Sequence, residues 1–363
     1  MEKDEQLLRM EDVPGRGRSL IATRAIRGGE IVLRDNPLLL YSAFPLLSPS
    51  PYCDSCFRLL PLPNAASPVL ACRNCSLARF CSESCLASPS HSHWCCQALS
   101  FASNSLSQLS LDLQTQFRFL VASYNLALVS PSNFHILLTL QGAATPNNNS
   151  LLLNSLIPPI QSPFPVSPDL TASLLAKDKL NAFGIMEPFD AITSRGSNVR
   201  AYGIYPKAAL FNHDCLPNAC RFDYFDKKGD GGSTEITIRM VHDVPEGREV
   251  CLSYFPVNFT FAERQKRLTE DYGFVCECDR CKVECCWSDG DDDDELEEGD
   301  EEMEDIDEEE NQGTAEDNFP HAYFFVRFVC NRDNCWGTLA PLQTNPSLLE
   351  CNVCGAVSED DAV

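Results

Sequence analysis

The chain has 363 residues, 44% of them hydrophobic, and a formal net charge of −24. That length allows two or three domains, and the composition suits a globular protein rather than a disordered or fibrous one. No run approaches the roughly 20 apolar residues that span a bilayer. The charged start, Met1 to Gln6, lacks the apolar core of a signal peptide, so a soluble protein of the nucleus or cytoplasm with no membrane partner is expected.

The charge is local. Between Asp289 and Glu310 stand 17 acidic residues and no basic one; elsewhere 35 acids face 28 bases. The folded part is therefore only mildly acidic and lacks the basic surface that non-specific nucleic-acid binding requires. A basic partner such as a lysine-rich tail fits better. With no secretory signal, the 20 cysteines point to metal ligation rather than disulfides.

In chain order, Gly15, Gly17 and Gly28-Gly29 mark turns, and the stretches between them (Ser19 to Ile26, Ile31 to Leu33) read as two strands of a hairpin. A dense cluster follows: Cys53, Cys56, Cys72, Cys75, Cys81, Cys85, His91, His93, Cys95 and Cys96, ten potential ligands within 44 residues. Cys-x2-Cys knuckles present two sulfurs on one turn, and eight ligands make two tetrahedral zinc sites. The segment has few aliphatic residues, so the metals would stand in for a hydrophobic core.

Residues 98–141 carry apolar positions at helical spacing and read as two or three packing helices. Asn147 to Ser150 and the proline-rich stretch 158–168 read as loops, and a helix resumes over Leu174 to Leu180, running into Asn181. Residues 200–256 read as strands over Ala201 to Tyr205, Arg221 to Phe225, Glu235 to Met240 and Glu249 to Tyr254, with a glycine-rich hairpin loop from Lys227 to Ser233. Within them, Asn212 and His213 precede a proline-broken segment and read as a tight loop. A helix and turn around Arg264 to Phe274 lead into Cys276, Cys278 and Cys281, which need a fourth ligand from elsewhere. The acidic run, residues 289–312, is too polar and too like-charged to bury a core. After it, Cys330, Cys335, Cys351 and Cys354 form two knuckles that read as a small zinc ribbon. With these sites filled, Cys95, Cys220, Cys251, Cys285 and Cys286 are the cysteines left over, and about four zinc ions are expected.

Residues Ala209 to Cys220, with their Asn212-His213 pair and Cys215, and Cys251 to Tyr254 resemble the signature of SET-domain lysine methyltransferases. From about residue 11 to 282 the order of parts resembles the SET-and-MYND (SMYD-type) enzymes in a plant-like variant. The resemblance implies an α+β protein: a β-rich SET domain with an inserted MYND zinc finger, a helical insertion, a post-SET zinc site and, beyond the family pattern, the C-terminal ribbon. The parts fall at 8–52 (SET amino-terminal half), 53–96 (finger), 97–180 (helices), 181–256 (SET core), 257–286 (post-SET), 287–318 (acidic loop) and 319–357 (ribbon).

The resemblance further implies interleaved finger ligands: Cys53, Cys56, Cys81 and Cys85 on one ion, Cys72, Cys75, His91 and Cys96 on the other. His93 or Cys95 could substitute in the last pair. Cys215 would complete the post-SET site, with Cys285 or Cys286 as the alternative. S-adenosylmethionine would be held by Arg16, Gly17 and Arg18 of the opening loop, by Asn181, Asn212 and His213, by Phe274 stacked on the adenine and by Tyr254 at the transferring methyl, while Tyr254 as the catalytic residue also orients the lysine amine. For Asn181, capping of a helix end is an equal alternative. Two residues depart from the family pattern: Asp214, where Ser is common, and Arg18, where a smaller polar residue is usual. The implied activity is protein-lysine N-methylation, with a histone tail as a fitting substrate, proline-containing peptides docking on the finger, and a monomeric protein. The competing reading is a catalytically weak scaffold that binds protein partners.

Overall fold

The computed structural model describes residues 7–48, 50–61, 68–189, 198–226, 234–286 and 321–360. The acidic run expected over 287–318 and the hairpin loop Lys227 to Ser233 lie outside the described residues.

Strands β1 (Leu8–Val13) and β2 (Gly17–Ala22) form an antiparallel hairpin with Val13 opposite Gly17. Its turn uses Gly15 and Gly17 at φ 78° and 70°, values a side chain would strain. This corrects the expected pairing across Gly28-Gly29. Strand β3 (Ile31–Asp35) does not partner β2, because the late segment 236–250 lies along both: β3 pairs with a distant strand, while Ile21 bridges to Glu249 and Ile26 to Val244. Strand β4 (Leu39–Ser42) leads into the finger.

The finger holds the short pair β5 (Leu70–Ala71) and β6 (Arg79–Phe80) and helix α1 (Glu83–Leu86). Its own core consists of Cys53, Leu60, Cys72, Ala78, Phe80 and Cys96, half of it sulfur, as expected of a metal-held module. Helix α2 (His93–Leu106) starts on Ser92, whose hydroxyl accepts from the Cys95 amide. Helices α3 (Leu111–Val129), α4 (Pro131–Thr139), α5 (Asn148–Ser155) and α6 (Pro168–Asn181) follow. Expected as a loop, residues 147–150 instead begin α5: Asn147 and Ser150 close a capping box, so a polar run that resembles a turn is a helix start. The proline-rich connection is a loop up to Ser167, which caps α6, and the helix starts at Pro168, six residues earlier than Leu174. Phe117, Leu120, Tyr124, Phe134, Leu137 and Leu174, all fully buried, make the helical core.

Residues 181–256 contribute to a set of small sheets. Strands β7 (Ala182–Met186) and β8 (Val199–Ile204) join β4 in the order β4-β8-β7. Asn212 and His213, expected in a loop, are the strand β9 (Asn212–His213). Strands β10 (Ala219–Asp223) and β11 (Ile236–Met240) form the sheet β10-β11-β3. Strand β12 (Cys251–Leu252) runs parallel to β9, with Cys251 opposite Asn212 and Leu252 opposite His213. That register brings two segments some forty residues apart in sequence to one point.

Helix α7 (Phe261–Arg267) begins with a Thr260–Glu263 capping box and passes into a wider turn, Leu268–Tyr272, stopped by Gly273 at φ 76°. Helix α8 (Asp279–Glu284) follows. The C-terminal module has helix α9 (Ala322–Phe328) and the antiparallel sheet β13 (Leu339–Leu342), β14 (Asn345–Cys351), β15 (Val357–Glu359). It is seated on the sheet β10-β11-β3. Buried Glu350 accepts from Arg239 (2.8 Å) and Tyr224 (3.1 Å), and the Arg239 guanidinium lies 3.7 Å from the Phe222 ring centre. Phe324, Phe328 and Ala340 share a core with Phe222 and Val241. Among the described residues no helix is long and apolar enough to cross a membrane.

Candidate functional site

The β9–β12 register builds the site. Its clamp is Asn212, whose side-chain amide lies 2.8 Å from Glu249 Oε1, 3.0 Å from Ser19 Oγ, and 3.2 and 3.4 Å from the carbonyl oxygens of Arg18 and Arg16. Arg16 reaches back: its Nε pairs with Glu249 Oε2 at 2.5 Å, and its Nη2 donates to the His213 carbonyl at 3.2 Å. The glycine-turn hairpin is thus fastened to β9 and β12 by two side chains meeting on Glu249, a residue that the sequence reading passed over. Beyond Gly15 and Gly17 an added Cβ would meet nothing within 4 Å, so the outer face of this turn is open.

His213 connects the strands to a buried cysteine cluster. Its Nδ1 accepts the Tyr254 amide proton at 3.1 Å, which leaves the ring proton on Nε2, 3.2 Å from Cys215 Sγ. Burial pushes the imidazole down to about 3, so it is neutral, as this tautomer requires. The Tyr254 hydroxyl donates to the Phe211 carbonyl at 3.0 Å. Burial, with Tyr272 beside it, raises the phenol well above its ordinary value. Tyr254 therefore stays protonated, with its proton directed at main chain and its oxygen lone pairs left to accept.

Tyr254 borders a cavity of about 460 Å³, within the range of small-molecule sites. Phe183, Phe211, Phe255 and Tyr272 line it as well, with the Tyr272 ring centre 4.8 Å from that of Tyr254. Asn181 is on the same wall, and its amide donates to the carbonyls of Gln141 and Lys177 at 2.7 Å each, so the helix-end role expected as an alternative is present. A more open groove of about 1260 Å³ continues across Ala182, Tyr202 and Tyr272 towards Asp178. Phe274, two residues beyond Tyr272, is 39% exposed and does not border the cavity. Asp214 accepts the Leu216 amide at 2.9 Å, which makes its carboxylate a turn cap behind the site. The lining rings were missed in the sequence because aromatic residues in strands read first as packing; the Tyr272-Gly273-Phe274 run was the available signal for one of them.

Four groups of cysteine and histidine have their ligand atoms within 4.8 Å of one another: Cys53, Cys56, Cys81, Cys85; Cys72, Cys75, His91, Cys96; Cys215, Cys276, Cys278, Cys281; and Cys330, Cys335, Cys351, Cys354. Zinc–sulfur bonds of about 2.3 Å in a tetrahedron set sulfur–sulfur edges of about 3.8 Å. Pairs here lie at 3.6 Å (Cys56–Cys81), 3.7 Å (Cys72–Cys96), 3.5 Å (Cys215–Cys281) and 3.8 Å (Cys330–Cys354), far beyond a disulfide and right for a shared ion. The alternatives are resolved by position. His93 is exposed, and Cys95 points into the helical core, where burial pushes its thiol up to about 12. Cys285 and Cys286 are exposed and stand outside the third group.

A SET-domain profile matches residues 17–255. The chain belongs to the SET-domain family. It is of the SET-and-MYND type. It is 54% identical over 396 aligned residues to the histone-lysine N-methyltransferase ASHR2 of Arabidopsis thaliana, covering 99% of this chain and 97% of that one. Human histone-lysine N-methyltransferase SMYD3 is 27% identical over 283 residues, 74% of this chain and 60% of its own. A second Arabidopsis relative, histone-lysine N-methyltransferase ASHR1, is 25% identical over 76% of this chain and 55% of its own.

Proposed function

We infer that this SET-and-MYND protein is an S-adenosylmethionine-dependent protein-lysine N-methyltransferase that acts on histones or other lysine-bearing proteins and holds four zinc ions. The observation that carries the reading is the Tyr254 hydroxyl, anchored on the Phe211 carbonyl inside an aromatic-lined cavity and reached from the opening hairpin through Asn212 and His213. A scaffold has no need of a phenol so oriented.

The cofactor supplies the electrophilic methyl group when bound. The residues fit it. The open face of the turn at Arg16, Gly17 and Arg18, the main chain of Asn212 and His213, Asn181 on the cavity wall and the exposed ring of Phe274 would hold it. Asn212 and Arg16 act mainly by fixing that turn, since their donors are engaged with Glu249 and main chain.

A lysine amine has an ordinary pKa of about 10.4 and must be neutral to attack. Phe183, Phe211, Phe255 and Tyr272 remove water from it, which lowers that value. Tyr254 is the catalytic candidate. Being protonated, it is no base: its oxygen accepts an amine hydrogen and aims the nitrogen lone pair. On this reading the finger docks proline-containing peptides, and a monomer works wherever its substrate is, in nucleus or cytoplasm.

The test uses labelled S-adenosylmethionine with purified core histones and cell extract. Wild type should transfer label, and Tyr254→Phe should lose about 100-fold or more in turnover while binding the cofactor normally by calorimetry. Equal turnover removes Tyr254 from the mechanism; absence of cofactor binding by wild type favours the scaffold.

A further inference from the structure

In four zinc knuckles the residue that follows the second cysteine takes a left-handed backbone: Phe57 (φ 56°), Ser76 (56°), Trp336 (50°) and Gly355 (66°). The position suits glycine, and a large side chain there is strained. Phe57 is compensated, because its ring is buried at 3% exposure in the SET core beside Ile185 and Phe211 and so fastens the finger. Trp336 has no such compensation. Its side chain is 53% exposed, and it stands on the rim of the cavity that holds Tyr254. A strained aromatic kept in the open at the edge of a reactive cavity points to a ligand rather than to packing.

The surroundings fix Trp336 in place. Cys335 before it belongs to the fourth cysteine group, and an added Cβ on Gly337 after it would come within 2.3 Å of Cys351 Sγ, so the knuckle is closely packed. Asn352, on the same cavity wall, accepts the Thr338 amide at 2.8 Å and donates to the Arg221 carbonyl at 3.2 Å, which ties the ribbon's two loops to β10. Of the expected cofactor residues Asn181 and Tyr254 border this cavity, while Arg16, Gly17, Arg18, Asn212, His213 and Phe274 stand outside its lining. The ribbon wall shares the cavity with Tyr254 and its aromatic lining, the part assigned above to the lysine.

We propose that Trp336 is a substrate-contacting residue: its indole lies against the polypeptide flanking the target lysine, so the C-terminal zinc ribbon helps to select which lysine enters. The proposal rests on the lysine-methyltransferase reading above. The indole face suits an aliphatic or basic side chain next to the lysine.

The experiment uses the full zinc-loaded protein, labelled S-adenosylmethionine and purified core histones, with Trp336→Ala, Trp336→Gly and Trp336→Phe. Glycine relieves the left-handed backbone, so that variant folds at least as readily as wild type. Alanine and glycine should each raise KM for histones about tenfold, the size of one lost aromatic contact, and the loss should fall in KM rather than kcat. Phenylalanine should restore most of it. Bound zinc and cofactor affinity by calorimetry should stay at wild-type values. An unchanged histone KM in the alanine and glycine variants overturns the proposal, as does a KM change accompanied by equal losses of zinc and cofactor affinity. If wild type itself transfers no methyl group, the parent reading fails; if it transfers and the variants match it, only the role of Trp336 fails.

Discussion

The finger's first quartet and the post-SET quartet present the same four sulfurs in different surroundings. In the finger Cys53 is buried while Cys56, Cys81 and Cys85 are half-buried, whereas Cys215, Cys276, Cys278 and Cys281 are all buried. Four thiolates around a divalent ion leave excess negative charge. Water can solvate it at the finger. At the buried site the protein supplies the donors: Arg264 Nε and Nη2 lie 3.2 Å from Cys215 Sγ and 3.6 Å from Cys281 Sγ, and His213 Nε2 lies 3.2 Å from Cys215 Sγ. Buried Glu284 then balances Arg264 (2.5 Å) and Arg280 (2.6 Å). The same His213 accepts the Tyr254 amide. Filled with zinc, the first quartet would hold one module together, and the second would also set the position of the phenol, because an outer-shell partner of a ligand is part of the site.

That contrast gives the largest expected effect. Cys281→Ser should release one zinc and reduce methyl transfer by about 100-fold, since second-shell and ligand losses in metal sites act on this scale. Cys81→Ser should also release one zinc and lower the melting temperature, but activity per folded molecule should stay within a few-fold. Zinc content by mass spectrometry and turnover normalised to folded protein check both. Equal activity losses would mean that the finger shapes the site as strongly as the post-SET segment does.

The link itself can be cut next. His213→Ala removes the acceptor of the Tyr254 amide and the donor to Cys215. It should reduce turnover about tenfold to 100-fold with zinc retained, and His213→Gln, which keeps an acceptor, should recover part of it. Zinc lost in step with activity would show that His213 serves the metal alone.

The ribbon is held by an ion pair instead of a metal bridge. Arg239 and Glu350 are each about 5% exposed, and leaving one of them unpaired by Glu350→Ala should destabilise the protein by about 3–5 kcal/mol. Denaturant unfolding reads this directly. On the reading given above for Trp336, the histone KM should rise with it; a normal KM in a destabilised protein would separate the two roles of the ribbon.

These regions differ in how far the sequence discloses them. The four cysteine and histidine groups were readable in part because Cys-x2-Cys spacing is set by one turn of backbone; the interleaving in the finger and the place of Cys215 followed from the family resemblance. The β9–β12 register brings together Tyr254, Asn212 and His213, which were named through the same resemblance. Their partners were not. Glu249 closes the clamp only because β12 runs parallel to β9 in a specific register, and register between distant segments has no local sequence signal. The same holds for β3, whose partner β11 lies 200 residues on, and for Trp336, which reaches the cavity only through the seating of a module that the family pattern does not contain.

The smallest effect concerns the groove side of the site. Asp178 is pushed up to about 7 by burial, against its hydrogen bond from Tyr41, and Asp112 nearby adds to the rise. An aspartate in an unfolded chain titrates near 3.9. Between these values the folded protein holds the proton and the unfolded chain does not, so this group stabilises the fold most below pH of about 4 and the contribution is lost as pH rises through 7. Asp178→Asn keeps an acceptor for Tyr41 and removes the titration. Melting curves taken from pH 6 to 8, where the zinc thiolates remain metal-bound, should show the variant gaining on wild type as pH rises. Parallel curves would mean that Asp178 is ionised throughout and that the groove carries a fixed negative charge for an incoming basic chain.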